Sequence, residues 1–529
     1  MLPQKRWEFP SGKDSLKGIL SFIFVKIRLH EAVKSEDSML YQSTRSSEQV
    51  TDTAAVLRGI APDGGLYVDP KLGERPFDWR GCLGLSALGM AEKILSHLLP
   101  GYADMGALVA RAYAGKFETE DLTPLVKVGE DYVLELFRGP TAAFKDVALS
   151  MLPQLVTAAR EQEGVRDKIV ILTATSGDTG KAALEGFHDV AGTGILVFYP
   201  HGGVSPVQRA QMVTQSGANV KVCAVRGNFD DCQSGVKQAF AALGASAALA
   251  GTGRRLSSAN SINIGRLAPQ VVYYFIAYAE LVKRGAIACG ERVDYVVPTG
   301  NFGDILAGYF ARLMGLPVGR LVCASNANRV LTDFLTTGVY DRRRPFLKTS
   351  SPSMDILISS NLERLLFLAT GGDAARVAGW MKELQETGVY RVDDETLAAI
   401  QAVFSAGCCD EEESAETIGR TWRDKGYLCD PHTAVALHVA AGYKRERGEG
   451  APLVVLSTAS PYKFPAAVLR AVGGDTAGDE FEQMETLAAL SGVPIPRGLQ
   501  GLKERPVLHE DVIDREEILD YVLRQIPLL

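Results

Sequence analysis

The hydrophobic positions between residues 165 and 475 form a repeating pattern of short apolar runs and longer segments with helical spacing. Such runs are typical of strands buried on both faces, because helices cover both sides of a parallel sheet. The pattern therefore predicts an α/β fold with two doubly wound lobes. The predicted strands are KIVILTA (168–174), GILVFYP (194–200), NVKVCAV (219–225), VDYVVPT (293–299), RLVCAS (320–325) and PLVVLST (452–458).

The spacing of these runs places the first three strands in a smaller lobe and the last three in a larger one. The predicted division is 1–38 as a leader that is dispensable or disordered, 39–128 as an N-terminal segment, 129–255 as the smaller lobe, 256–474 as the larger lobe with a helical insertion, and 475–529 as a C-terminal tail. The only apolar run of the leader, at 18–25, is too short to span a bilayer, and no small-residue cleavage site follows it.

Composition and charge narrow the class of protein. Hydrophobic residues make up 46% of the chain and charged residues 22%, as in ordinary soluble globular proteins. The formal net charge of −7 and the lack of a long Lys/Arg block argue against a nucleic-acid partner, and no run is long enough to indicate a membrane partner. The eight cysteines are scattered without a C-x-x-C pair, so we expect no metal site, no disulfide framework and a cytoplasmic location.

The loop PTGNFGD (298–304) directly follows a predicted strand and opens a helix. Gly300 and Gly303 allow the sharp turn that points several backbone N–H groups in one direction, and the helix dipole adds positive charge there. The loop indicates a phosphate cradle. The alternative is a tight strand–helix turn with no ligand.

A second loop, TATSGDTGKAA (173–183), is similar to a Walker A loop but lacks two of its required residues. Thr175 replaces the first glycine, and Ala182 replaces the hydroxyl residue that holds Mg²⁺. The hydroxyl groups of Ser176 and Thr179 instead surround Asp178 at the start of a helix. This arrangement suits a carboxylate or phosphate without a metal.

Lys145 lies in FRGPTAAFKD (137–146), in the predicted first turn of a helix that begins near Ala142. The positive end of the helix dipole disfavours a protonated amine, so we expect a lowered pKa. Most lysines are solvated surface charges, but Phe144 and the glycine–proline turn favour a buried amine here. A lysine of this kind is what Schiff-base chemistry requires.

A fourth loop, STASPYKF (457–464), places Thr458 at the tip of a strand and Lys463 shortly after it. This signal is weak alone, since strands often end in serine or threonine. Together, a phosphate cradle, an anion-binding turn, an activated lysine and a strand-tip hydroxyl match the needs of pyridoxal 5′-phosphate (PLP).

At this point the chain resembles the threonine synthases of bacteria and fungi, which are fold-type II PLP enzymes. The resemblance runs from residue 39 to about residue 500. It is carried by ten ordered motifs: GIAPDGGLYV (59–68), GPTAAFKD (139–146), TATSGDTGKAA (173–183), YPHGGVSPVQRAQM (199–212), NSINIGR (260–266), PTGNFGD (298–304), SPSMDI (351–356), SSNLER (359–364), DPHTAVA (430–436) and STASPYKF (457–464).

The resemblance implies a role for each candidate residue. Lys145 holds PLP through a Schiff base and moves protons in the reaction. The other implied roles are Gly300, Asn301, Phe302, Gly303 and Asp304 at the 5′-phosphate, Thr458 at the pyridine nitrogen, Asp178 near the 3′-oxygen, Ser176 and Thr179 at the substrate carboxylate, and Asn260, Asn263, Arg266 and Lys463 at the phosphorylated end of the substrate.

The implied reaction is that of a lyase which converts O-phospho-L-homoserine and water to L-threonine and phosphate, in a monomer or homodimer. Arg138, Ser460 and Ile264 depart from the usual residues of the family. These differences leave open a relative that releases 2-oxobutyrate, ammonia and phosphate. A non-catalytic PLP-binding protein is a further alternative, against which Lys145 argues. We interpret His432 as part of a helix start that Asp430 and Pro431 explain without chemistry.

Overall fold

The computed structural model describes residues 39–244, 249, 251–448 and 450–529, so the predicted leader at 1–38 lies outside the described residues. The strands are β1 (Leu40–Ser43), β2 (Gln49–Thr51), β3 (Tyr67–Val68), β4 (Leu125–Val128), β5 (Asp131–Glu135), β6 (Lys168–Ala174), β7 (Thr193–Pro200), β8 (Val220–Arg226), β9 (Arg254–Ser257), β10 (Val293–Pro298), β11 (Val318–Ser325), β12 (Val339–Asp341), β13 (Val389–Arg391), β14 (Phe404–Cys408), β15 (Leu453–Ser457) and β16 (Val512–Asp514).

The described α-helices are α1 (Asp52–Arg58), α2 (Ala87–Leu98), α3 (Met105–Tyr113), α4 (Lys145–Gln162), α5 (Asp178–Phe187), α6 (Pro206–Val213), α7 (Phe229–Gly244), α8 (Ile264–Leu267), α9 (Val271–Lys283), α10 (Gly303–Leu313), α11 (Val330–Thr337), α12 (Leu362–Ala369), α13 (Ala374–Thr387), α14 (Asp394–Gln401), α15 (Glu411–Lys425), α16 (Pro431–Arg447), α17 (Pro465–Val472), α18 (Glu480–Ser491) and α19 (Ile518–Gln525). None of these helices is both long enough and apolar enough to cross a bilayer.

Two large sheets organise the fold, as the hydrophobic pattern predicts. One has five parallel strands in the order β16-β8-β7-β6-β9, and the other has six in the order β14-β11-β10-β15-β5-β4, with only β4 antiparallel. The first three predicted strands lie in the five-stranded sheet and the last three in the six-stranded sheet. Their side chains are buried because helices cover both faces of each sheet.

Strand pairing corrects the predicted boundaries between the segments. β5, predicted in the smaller lobe, pairs in parallel with β15 of the larger sheet, Leu134 lying opposite Leu456. β9 crosses the boundary predicted at 255, and β16 of the predicted tail adds an edge strand beside β8. The predicted division therefore does not follow the sheets at those strands, because backbone hydrogen bonding between distant segments leaves no mark in local sequence.

The predicted helical insertion also contributes to the larger sheet. It contains helices α12 to α16, as expected, but β14 pairs in parallel with β11 and forms the edge of the sheet. The carboxyl ends of β6, β10 and β15 lead into three of the four loops singled out from the sequence, and β5 leads into the fourth, which carries Lys145. In such sheets ligands bind at the carboxyl ends of strands.

Candidate active site

Lys145 is the first residue of α4, as predicted, and the turn before it is fixed from two sides. The carboxylate of Asp146 accepts hydrogen bonds from the backbone N–H of Thr141 at 2.8 Å and from its hydroxyl at 2.5 Å. The N–H of Phe144 donates to the carbonyl of Thr458 at 2.8 Å, beside a β-bridge between Ala143 and Ala459. The Lys145 turn and the loop after β15 therefore form one unit.

The amine of Lys145 is buried, with 8% of the residue exposed. Burial lowers its pKa to about 8, Asp178 opposes that change, and the charges of Lys463 and Arg266 add to it. The helix dipole predicts the same direction from sequence, and burial is the largest cause in the folded chain. Nζ donates to the hydroxyl of Ser353 at 3.1 Å and lies 3.7 Å from the carboxylate of Asp178.

Asp178 is the first residue of α5 and the centre of the charged cluster. Its Oδ1 lies 2.7 Å from Nζ of Lys463 and accepts a hydrogen bond from Gln208 at 2.9 Å. Burial alone would raise the pKa of this carboxyl, but Lys463 and then Lys145 outweigh it and hold the pKa well below its usual range. Asp178 is therefore a fixed negative charge facing two amines.

The anion-binding turn is organised by Thr175. Its hydroxyl accepts hydrogen bonds from the N–H groups of Gly177 at 3.0 Å and Gly180 at 2.8 Å. Gly177 has a φ of +133°, and a Cβ there would lie 2.4 Å from the side chain of Gln208, so only glycine fits. Ser176 and Thr179 are half-buried, and within the described part of the chain no hydrogen bond occupies their hydroxyl groups.

The predicted phosphate cradle lies between β10 and α10. The hydroxyl of Ser359 donates to the carbonyl of Gly300 at 2.8 Å, and the amide of Asn361 donates to the carbonyl of Asn301 at 3.0 Å. Phe302 takes a left-handed φ of +61° just before the helix. Among the described residues, no acceptor faces the N–H groups of 300–303. The loop thus has its carbonyls bonded and its N–H groups free for an anion.

Asp304 does not fit the predicted phosphate role through its side chain. Oδ1 accepts hydrogen bonds from the hydroxyl groups of Tyr273 at 2.6 Å and Tyr274 at 3.2 Å. Burial raises the pKa of this carboxyl to about 7, although the two tyrosines and Lys145 lower it in part. A carboxylate would repel a phosphate, so the backbone N–H at the helix start is the group of Asp304 suited to bind one.

The three site residues predicted from NSINIGR differ from one another in their contacts. Arg266 is buried, donates to the carbonyl of Ala259, and has an Nε without a partner among the described residues. Burial lowers its pKa to about 10, so it stays charged at neutral pH. The amide of Asn263 is occupied by the carbonyl of Val56 at 2.9 Å and by helix capping, which makes it structural. Asn260 is half-buried, and its side chain has no partner in the described residues.

Arg138, a departure from the family pattern, has a structural explanation. It donates through Nε to Glu135 at 2.8 Å and through Nη1 to Glu118 at 3.2 Å. Tyr427 donates to the same Glu135 at 3.2 Å. Arg138 therefore links β5 to the segment before β4 and has no contact with Lys145.

Sequence reasoning missed the residues that hold the site residues in place. Ser353 contacts Lys145, Gln208 contacts Asp178, and Asn361 contacts the phosphate cradle. All three lie within motifs of the family resemblance, at 351–356, 199–212 and 359–364. Membership in these motifs was the available signal, but the motifs do not show which residues the three side chains contact.

The residues present fit PLP. Lys145 offers a buried amine for the aldehyde, and the free N–H groups of 300–303 offer a cradle for the phosphate. Lys145, Lys463 and Arg266 form a buried cationic group in which Asp178 is the ionised carboxylate, so an anionic ligand would balance their charge.

Comparison with known proteins gives the family. Residues 119–459 match the family described as pyridoxal-phosphate dependent enzyme, and 433–521 match the one described as threonine synthase, C-terminal. The chain is 40% identical over 469 residues to the threonine synthase of Pseudomonas aeruginosa, covering 85% of this chain and 96% of that protein. It is 39% identical over 435 residues, 79% of this chain, to threonine synthase-like 1 of Pongo abelii, and spans 57% of the length of that relative.

A crystal structure of PLP-bound threonine synthase from Brucella melitensis has the same fold. It matches with a TM-score of 0.81 at 40% identity, and the match covers 92% of this chain and 99% of that one. Fold, sequence and the lysine-centred site agree, and PLP is the cofactor that they indicate. The chain belongs to the threonine synthase family of pyridoxal-phosphate dependent enzymes.

Proposed function

We propose that the protein is a threonine synthase, which converts O-phospho-L-homoserine and water to L-threonine and phosphate in the last step of threonine biosynthesis. The observation that carries this proposal is the buried group of Lys145, Lys463 and Arg266 beside the turn at 175–179. The cations suit a leaving phosphate, and the turn suits the carboxylate of an amino acid. A substrate with both groups is thus supported.

PLP supplies an electron sink that stabilises negative charge at the substrate Cα. The role of Lys145 follows from its amine, which has a pKa of about 8 and can hold or give up a proton near neutral pH. We infer that Nζ removes the Cα proton and then moves protons at Cβ and Cγ. The hydroxyl of Ser353 and the carboxylate of Asp178 hold the amine in place.

The substrate carboxylate would bind to Ser176 and Thr179 at the start of α5. The positive end of the helix and the N–H groups of its first turn stabilise an anion there. The half-buried hydroxyl groups of both residues are available to donate hydrogen bonds.

Phosphate leaves from Cγ as a dianion, and water adds at Cβ. Lys463 and Arg266 would stabilise the charge that develops on the leaving group, because both are buried cations and Nε of Arg266 has no partner among the described residues. Asn260 would assist them. The cofactor phosphate would be held by the N–H groups of 300–303 and Asp304, and the pyridine nitrogen by Thr458.

We further propose a cytoplasmic location and a monomer or homodimer. All eight cysteines are free thiols, which supports a reducing compartment. The division into segments is proposed with its corrected limits, so that the five-stranded sheet, including β16, forms the smaller lobe and the six-stranded sheet, including β5, forms the larger one.

The test is a product assay on purified holoenzyme with O-phospho-L-homoserine. We expect equal amounts of threonine and phosphate, and no turnover by Lys145→Ala. Production of 2-oxobutyrate and ammonia with phosphate would replace the proposal by the phospholyase reaction. Release of no phosphate at all would leave a PLP-binding protein of another function.

A further inference from the structure

The short 3₁₀ helix Pro352–Met354 contacts two parts of the site at once. The hydroxyl of Ser353 accepts a hydrogen bond from Nζ of Lys145 at 3.1 Å. The carbonyl oxygen of the same residue lies against the phosphate cradle, since a Cβ added to Gly300 would be 2.5 Å from it. One residue therefore connects the reactive amine with the cofactor-binding loop.

A buried pair of side chains holds this residue from behind. The backbone N–H of Ser353 donates to Nε2 of His432 at 3.1 Å, and Nδ1 of His432 lies 2.6 Å from Oδ2 of Asp430. Because Nε2 accepts a hydrogen bond it carries no proton, so the ring proton is on Nδ1 and is donated to Asp430. Both ring nitrogens of His432 therefore take part in a chain of hydrogen bonds that runs from Asp430 to Ser353.

The start of helix α16 does not require this histidine. Asp430 caps the helix by accepting from the N–H groups of Thr433 at 3.1 Å and His432 at 3.0 Å, and Pro431 occupies the first helical position. These contacts use the backbone of His432 only. Its imidazole is 2% exposed beside a fully buried carboxylate, a costly arrangement that capping leaves unexplained.

Further contacts fix the orientation of the pair. The hydroxyl of Thr433 donates to Asp430 and contacts the hydroxyl of Ser457 at 2.8 Å, next to Thr458. The ring of Phe464 packs on His432 with centroids 5.1 Å apart. Because of these contacts the imidazole has one orientation, and the position of Ser353 depends on it.

We propose that Ser353 is a further catalytic residue, whose hydroxyl holds the amine of Lys145 for proton transfer. We propose also that His432, oriented by Asp430, is a positioning residue for the 3₁₀ helix that contains Ser353. The proposal rests on the proposed function for its reaction. It corrects the interpretation of His432 as part of a helix start alone.

The two roles can be separated by substitution. Ser353→Ala removes the contact with Lys145 but keeps the N–H and the carbonyl, so His432 and the phosphate cradle are undisturbed. Loss of a hydrogen bond to the reactive amine lowers kcat by about 10- to 100-fold. KM and the retention of PLP are unchanged, and Ser353→Thr restores most of the rate.

His432→Leu removes the acceptor of the Ser353 N–H, so the 3₁₀ helix is no longer held against the phosphate cradle. We expect kcat to fall as in Ser353→Ala and bound PLP to be lost about tenfold faster, as one lost hydrogen bond to a preorganised site predicts. The loss is followed by the visible absorbance of the holoenzyme after rapid dilution. His432→Gln, with an acceptor near the position of Nε2, restores retention.

Each substitution has a matched control close by in the chain. Ser350→Ala, three residues before Ser353, removes a hydroxyl that contacts Glu411 at 3.1 Å. His438→Leu removes an imidazole of α16 that lies near Glu413 of α15. Both keep wild-type kcat and PLP retention. A wild-type kcat in Ser353→Ala, or wild-type retention in His432→Leu, would overturn the proposal.

The proposal can still be tested if His432→Leu misfolds or if the wild-type protein catalyses a different reaction. If His432→Leu does not fold, as judged by its melting temperature, Ser353→Ala and His432→Gln decide. If the wild-type protein makes 2-oxobutyrate, the proposed function fails, while the same comparisons of kcat and PLP retention are made on that product.

Discussion

At the scale of single residues, the amine of Lys145 lies among charges with opposite effects on its protonation. Burial, Lys463 and Arg266 favour the neutral amine, whereas Asp178 favours the ammonium form. The result is a pKa of about 8, more than two units below the ordinary lysine value of 10.5. Above pH 8 the amine is mainly neutral, which is the form that an aldehyde would react with, and below pH 8 it is mainly protonated.

This balance predicts the pH dependence of PLP binding to the cofactor-free protein. The association rate should rise with pH to a plateau above about 8 and fall about tenfold per unit below it. In Asp178→Asn the midpoint should lie lower, because the charge that favours the ammonium form is gone. Stopped-flow absorbance against pH measures both profiles.

Asp189→Asn is the matched control, since Asp189 is exposed and pairs with His188 at 3.1 Å instead of with a site residue. Its profile should match that of the wild type. A wild-type midpoint near 10.5, or the same midpoint in Asp178→Asn, would contradict this balance of charges around Lys145.

At the scale of elements, the packing of α4 on α5 sets the distance between Lys145 and Asp178, because each is the first residue of its helix. Pro153 lies inside α4 and has no N–H, so the carbonyl of Leu149 lacks its helical partner. Gly186 of α5 approaches that carbonyl so closely that an added Cβ would lie 1.9 Å from it. The helices can pack this closely only with glycine at 186.

Gly186→Ala should therefore destabilise the protein by about 2 kcal/mol, although alanine is the better helix former. The separation of the helices should also lower kcat at least tenfold, since a small misplacement of a catalytic group is costly. Urea unfolding and steady-state kinetics measure the two effects. Gly379→Ala in α13, where a Cβ would meet nothing within 4 Å, should be neutral or stabilising. Equal behaviour of the two variants would refute the close-packing explanation.

At the scale of the whole molecule, Arg364 joins three distant parts of the chain. Its fully buried guanidinium donates to the carbonyl of Tyr67 at 2.9 Å, to the carbonyl of Ile262 at 2.6 Å, and to Asn361, which holds the phosphate cradle. The N-terminal segment, the loop before α8 and the cradle thus share one side chain.

Arg364→Met should leave these buried acceptors without donors and lower stability by about 3 kcal/mol, because each unsatisfied group costs about 1 kcal/mol or more. PLP affinity should fall as well, since Asn361 loses its fixed orientation. Thermal unfolding and PLP titration measure the two losses. Arg423→Met, at an exposed position of α15, should change neither. If Arg364→Met kept wild-type PLP affinity, the phosphate cradle would not depend on the hydrogen bonds of Arg364.

The sequence by itself determined the strand–helix alternation, the two glycine-containing loops that are predicted to bind anions, and the position of Lys145 at a helix start. These features are local, because hydrophobic period, turn residues and helix position are set within about ten residues. The tertiary structure alone decided the partners of the site residues. Ser353 and Lys145 are 208 positions apart, and Asn361 and Asn301 are 60 apart.

The same reason explains the corrected boundaries and roles. β5 joined the larger sheet, and Asp304 turned its carboxyl to Tyr273 and Tyr274, through contacts that no local pattern records. Burial is the largest cause of the lowered pKa of Lys145, and burial is a property of the folded chain. Local chemistry selected the reactive groups, and packing between distant segments determined their geometry and charge.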